Sequence, residues 1–108
     1  MMRLPFKVSV VRQTSSGGDH IVKYDGVLDL TDEMGPVCVE MISYYPATAD
    51  PKLIQSAIES VQRGTAKALV GKGGTLRLYN FAIHPTDFRP GKCEEYTCDA
   101  IRSAIAPS

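Results

Sequence analysis

From Leu53 to Leu69, apolar or small side chains recur at Ile54, Ala57, Ile58, Val61, Thr65, Ala68 and Leu69. Steps of three and four residues place them on one stripe of a helix, leaving Lys52, Glu59, Arg63 and Lys67 to solvent. Asp50 and Pro51 mark the start: the carboxylate can accept a bond from a free first-turn amide, and proline lacks an N–H that would go unpaired there. Gly71, Gly73 and Gly74 mark the stop. Gly64 costs about 1 kcal/mol relative to alanine in mid-helix, which predicts that a neighbouring backbone crosses close to it.

On either side the spacing changes to that of strands. Lys7–Val11, His20–Leu30 and Val37–Tyr44 read as three strands, and Thr75–Ile83 as a fourth. Gly26 predicts a bulge or bend in the second. The third, with Val37, Val39 and Met41 on one face and Cys38 buried, is expected to form an antiparallel hairpin with the second. In the fourth, strict alternation sends Leu76, Leu78, Asn80 and Ala82 one way, and Arg77, Tyr79, Phe81 and Ile83 the other. Residues 84–91 hold two prolines and a glycine and read as loop. Residues 94–105 read as a second helix, with Tyr96, Ala100, Ile101 and Ala104 inward and Glu94 and Glu95 in its first turn. The order β-β-β-α-β-α predicts an α+β two-layer sandwich with both helices on one face of a sheet.

Size and composition suit a single folded domain over residues 1–108. The chain is 108 residues long and 44% apolar, enough to bury roughly two-thirds of its unfolded surface. No run of about 18 apolar residues predicts a membrane span, and the N-terminus has no signal-peptide pattern. Net charge is zero but unevenly distributed. Residues 1–18 carry three basic and no acidic side chains, 19–50 one and seven, 51–92 seven and two, and 93–108 one and three. Segregation of this kind permits a polyanion-facing side on a neutral protein. Three cysteines without CxxC spacing point to a reduced compartment and away from a zinc or disulfide framework.

Catalytic motifs are sparse. Gly71–Thr75 follows a helix and lacks the strand–loop–helix context of a phosphate-binding loop, so a helix stop explains it better. His84 with Cys93 or Cys98 is the one grouping suited to a small cysteine-dependent enzyme, since a thiol near a helix N-terminus can have a lowered pKa. His20 reads as a surface residue at a strand edge. No metal site and no catalytic residue is assigned. The stretch holding Arg63, Lys67, Lys72, Arg77, Arg89 and Lys92, with Tyr79, Phe81 and Phe88 interleaved, suits phosphate neutralisation and base stacking on RNA. Alternatively the aromatics are core and the charges simply solvated. A protein-binding module using the acidic 19–50 segment is a third possibility.

Three segments in order resemble domain IV of elongation factor G. Arg12-Gln13-Thr14 followed by Ser16-Gly17-Gly18 resembles the family's R-E-T strand end and Q-S-G-G loop. Val61-Gln62-Arg63-Gly64, Ala68-Leu69 and Gly71 are similar to its V-E-K-G-x-x-x-A-[LM]-x-x-G helix. Leu76–Ile83, a loop and a final Cys/Ala-rich helix resemble the domain's end. The resemblance implies a fold like the second domain of a small-subunit ribosomal protein, with a left-handed βαβ crossover. It also implies entry into the decoding region of the small ribosomal subunit during translocation or recycling. The implied partners are ribosomal, transfer and messenger RNA, the implied state a monomer, and the implied location cytoplasm or an organellar matrix. No cofactor is expected in this chain, GTP and magnesium belonging to other domains of such a factor. By resemblance the tip residues would be Ser15, Ser16, Gly17, Gly18 and Asp19 in one loop, and His84, Thr86, Asp87, Arg89 and Lys92 in the other. Arg63, Lys67, Lys72 and Arg77 would form a basic RNA-binding face. Asp19-His20-Ile21 stands where the family continues R-G-Q-Y-G, and nothing from Asp87 to Glu95 reproduces its Y-H-x-V-D-S-S loop. These departures resemble divergent members, such as recycling-type or ribosomal-protection relatives.

Overall fold

Leu28, Leu76 and Leu78 are fully buried, and burying them fixes which strands lie at the centre of the sheet. The computed structural model describes residues 2–12, 19–31 and 34–106. Strand β1 (Met2–Arg12) pairs antiparallel with β2 (His20–Thr31) without a break in register, from Met2↔Leu30 to Arg12↔His20. β3 (Val37–Met41) does not continue that meander. β5 (Gly73–Tyr79) lies between β2 and β3, antiparallel to the first and parallel to the second, giving the order β1-β2-β5-β3. The expected β2–β3 hairpin is therefore corrected. β5 carries two fully buried leucines and takes an inner position, while β3 has only half-buried residues on its core side and takes the edge.

Between β3 and β5 run a two-residue strand β4 (Tyr44–Tyr45) and helix α1 (Pro51–Ala68). A parallel neighbour requires such a crossover. β6 (Phe81–Ala82) pairs with β4 in a small parallel sheet, and α2 (Pro90–Ile105) closes the chain. Both helices cover the core side of the four-stranded sheet, in an α+β two-layer arrangement. Among the described residues, no helix is long and apolar enough to cross a membrane.

Local sequence explains the boundaries. Asp50 accepts the Lys52 amide at 2.9 Å, with Pro51 in the first turn, as expected for the start of α1. Past its end, Gly71 sits at φ 76°, left-handed geometry that glycine adopts freely. α2 begins at Pro90, four residues earlier than the charge pattern predicts, so Glu94 lies in its second turn. The buried face of α2 is Cys93, Thr97, Cys98 and Ile101, with Tyr96 and Ala100 only half-buried. Asn80, at φ 53°, breaks the alternation expected through residues 75–83. Its amide bonds the Ser43 hydroxyl at 2.8 Å, and Phe81, Ala82 and Ile83 all become buried beyond it. Gly26 makes no bulge. It stays in register, and a Cβ there would lie 2.6 Å from the Phe6 ring, which lies against it. Cys38 is exposed on the edge strand rather than buried.

The two helices meet at Gly64. A Cβ at this position would lie 2.5 Å from the Glu94 carbonyl oxygen and 3.0 Å from Thr97 Cβ. The close approach predicted for Gly64 is thus made by α2. It brings Arg63 and Lys67 of α1 onto one acid of α2: Arg63 Nε bonds Glu94 Oε1 at 2.6 Å, and the Lys67 ammonium bonds Oε2. Hydrogen bonds from Lys67 and Arg63 hold the Glu94 carboxyl below the usual carboxylate range, against partial desolvation. Across the core, the Tyr24 hydroxyl bonds Thr97 at 2.6 Å, and the Tyr24 ring stacks on Phe81 with centroids 4.9 Å apart.

Substitution and pH both test this crossing. Gly64→Ala should lower stability by about 1–2 kcal/mol in urea unfolding, because overpacking against backbone outweighs alanine's helix preference. Gly91→Ala, where a Cβ meets nothing within 4 Å, should be neutral or stabilising; equal effects at both sites would refute a close crossing. The Glu94 carboxyl binds its proton less tightly folded than unfolded. Its contribution is therefore complete above the ordinary glutamate value of about 4.3 and is lost as pH falls through the lower folded value. Urea midpoints followed from about pH 6 to pH 3 should drop on the acid side, less steeply in Glu94→Gln.

Candidate nucleic-acid interface

The end of the sheet where β1 runs out and β2 begins is where the turn before α2 is fastened. Arg12 and His20 are the last paired residues of the β1–β2 ladder. Ser15, Ser16, Gly17 and Gly18 lie outside the described residues. The other segment, His84–Arg89, leaves β6 and turns back into α2. Its anchor is a backbone hydrogen bond: the Ile21 N–H donates to the Asp87 carbonyl at 2.9 Å. The second residue of β2 is thereby joined to the turn before α2.

Local bonds shape the turn itself. His84 Nδ1 accepts the Asp87 amide at 3.2 Å, and the Phe88 amide donates to the His84 carbonyl at 3.2 Å. An accepting Nδ1 places the proton of the neutral ring on Nε2, leaving that N–H as a donor on a half-exposed side chain. The Thr86 hydroxyl lies 3.4 Å from the same Nδ1 and 3.5 Å from Asp87 Oδ1. Phe88 is buried and packs edge-on against Phe81, centroids 6.0 Å apart, which ties the turn to the core. His20 is buried, not at the surface, and bonds the Tyr96 hydroxyl at 2.7 Å, joining β2 to α2 just beneath the loops.

Charge at this end comes from Arg12, Arg89 and Lys92, with Asp19 and Asp87 among them. Arg12 and Arg89 are exposed, and neither forms an ion pair with another described residue. Lys92 lies 3.5 Å from Glu95. The four cations expected to make a basic face are not brought together. Arg63 and Lys67 clasp Glu94 on the helix layer. Lys72 is exposed between α1 and β5, at the opposite end from the two loops. Arg77 lies on the sheet's other side, bonded to Asp29 at 2.9 Å and 3.6 Å from Glu40. Their separation follows from β5 crossing beneath the helices, which sequence spacing alone does not reveal. Phe81 and Phe88 are core, while Tyr79 stays half-buried.

The other candidate chemistries gain little from the geometry. Cys93 and Cys98 are buried, and burial pushes the Cys93 thiol up to about 11 despite bonds to Ser60 and Thr97. A nucleophilic thiol needs the opposite shift. The acidic segment is also not a free acidic face, because Asp25 pairs with Lys7, Asp29 with Arg3 and Arg77, and Glu40 with Arg77. Among the described residues, no three His, Cys, Asp or Glu side chains gather as a metal site.

No family model matches the sequence, and no curated protein matches it. Among solved structures, the chain is similar to a Thermus thermophilus protein, ttk003000868, known from a crystal structure, with a TM-score of 0.65 and 13% identity. The match covers 97% of this chain and 16% of that one. At that identity the likeness establishes the fold alone: a small α+β sandwich that in the Thermus protein occupies part of a much longer chain.

Proposed function

We propose that this chain is an RNA-contacting module of the elongation factor G domain IV type, presenting its β1–β2 end to the decoding region of the small ribosomal subunit. The observation that carries the proposal is the Ile21–Asp87 backbone bond, which sets the His84–Arg89 turn beside the start of β2. The turn before α2 and the strand ends at Arg12 and His20, far apart in sequence, thereby lie at one end of the sheet. Arg12 and Arg89 supply charge for phosphate oxygens, and the His84 Nε2–H supplies a further donor. The module performs no GTP hydrolysis itself; that step belongs to other domains of such a factor. Its sequence departures in both loops fit a recycling-type or ribosomal-protection role better than translocation.

Binding of the purified chain to small ribosomal subunits, measured across a salt series, tests the proposal. Affinity should fall with salt at a slope of about 0.7 to 0.9 per phosphate contact. Arg89→Glu should weaken binding by about tenfold and lower the slope by about one, while Lys72→Glu, at the far end, should change neither. Salt-insensitive binding, no binding, or equal effects of the two substitutions would overturn the proposal.

A further inference from the structure

The face of the sheet away from the helices carries a surface that the loop end does not use. Directly opposed residues share a face, so the pairings define its rows. Lys7, Asp25 and Tyr79 form one row, Pro5, Val27, Arg77 and Glu40 the next, and Ser9 and Lys23 lie on the other side of the first. Arg3, Asp29, Arg77 and Glu40 neutralise one another along the lower rows. Holding Asp29 between two guanidinium groups, the Arg3 hydrogen bond foremost, keeps its carboxyl below the usual range. The upper rows differ. Asp25 is engaged by the Lys7 ammonium at 3.6 Å and by Asn80 Nδ2 at 3.3 Å, while Lys23 is exposed with no ion pair to another described residue.

A recess of about 140 Å³ opens at this corner, lined by Lys7, Ser9, Lys23, Asp25, Tyr45 and Asn80. Tyr45 is 48% exposed, and Ile42 and Tyr44 beside it in sequence are exposed too. Enclosed small-molecule pockets span roughly 300–1,000 Å³, so this recess is too small to enclose a free ligand. It suits one unit of an extended polymer lying across the sheet. An open aromatic ring beside a cation left unneutralised matches the chemistry of single-stranded nucleic acid, with a base stacked on the ring and a phosphate at the ammonium.

We infer that this open sheet corner, built by Tyr45, Lys23 and Lys7, is a second RNA contact that takes single-stranded RNA, apart from the two-loop end. The inference deepens the RNA-contacting function proposed above and rests on it. Phosphate sits at Lys23, with Lys7 diagonal to it across the β1–β2 ladder, and Tyr45 stacks the adjoining base.

Fluorescence anisotropy with a labelled single-stranded oligouridine tests it, alongside small-subunit binding by the same chain. Lys23→Glu and Tyr45→Ala should each weaken oligouridine binding by about tenfold, and Lys23→Glu should lower its salt slope by about 0.7. Both variants should retain small-subunit binding, whereas Arg89→Glu should weaken that about tenfold and keep oligouridine. Unfolding midpoints of both variants, and Lys23→Arg as a charge-preserving control that binds like the parent, separate lost contacts from lost folding. Oligouridine that fails to bind, or binds the two variants as it binds the parent, overturns the second contact while leaving the loop end standing. Loss of binding to both RNAs in the parent chain overturns the two proposals together.

Discussion

Everything at the loop end depends on where α2 lies, and the absence of a side chain at Gly64 sets that. With the Glu94 carbonyl 2.5 Å from where a Cβ would stand, α2 can come no nearer, and any larger residue would push it away. Contact at this point lets Arg63 and Lys67 reach Glu94, and it seats Cys93 and Thr97 over the core. The register of α2 then dictates where its first turn begins. That in turn places the His84–Arg89 turn, whose Asp87 carbonyl meets Ile21. A packing constraint in the middle of the helix layer is thus transmitted to a loop at the end of the sheet.

A row of aromatic rings carries the same constraint through the core. Phe6 meets Tyr24 edge-on, Tyr24 stacks on Phe81, and Phe81 meets Phe88 edge-on. Phe88 belongs to the loop itself. The turn is therefore fastened at three levels: its backbone to β2, its phenylalanine to the core, and its following helix to α1. Fastening of this kind holds polar groups in place before a ligand arrives, so less ordering entropy opposes binding.

Periodicity alone revealed α1 well, because its cap, apolar stripe, glycine stop and Gly64 contact are all local features. It revealed the two-layer class and the order of the four longer strands and two helices, but not the two-residue strands β4 and β6. Sheet order was not legible. The short stretch between Thr31 and Val37 suggests a hairpin, yet β5, contributed from far along the chain, occupies the place beside β2. Alternation also failed at Asn80, where one left-handed residue turns Phe81 inward. For the site, charge spacing grouped Arg63, Lys67, Lys72 and Arg77, while the fold distributes them over both layers and one end. The contribution of His20 was hidden because an imidazole next to an aspartate resembles a surface residue until Tyr96 is seen across from it. Tyr45 and Lys23 carried no signal in sequence, since only the β1–β2 register and the Asn80 kink bring them to one corner.

The ends of β1 and β2, and the His84–Arg89 turn fastened to β2 and leading into α2, form the RNA-contacting end proposed for this chain. Backbone-amide NMR of the labelled protein, titrated with a structured RNA hairpin from the decoding region, tests that pairing most directly. Resonance shifts should concentrate at residues 12–21 and 84–92 and saturate together with a single binding constant. Shifts confined to one of the two segments, or centred on the far end around Lys72, would contradict it.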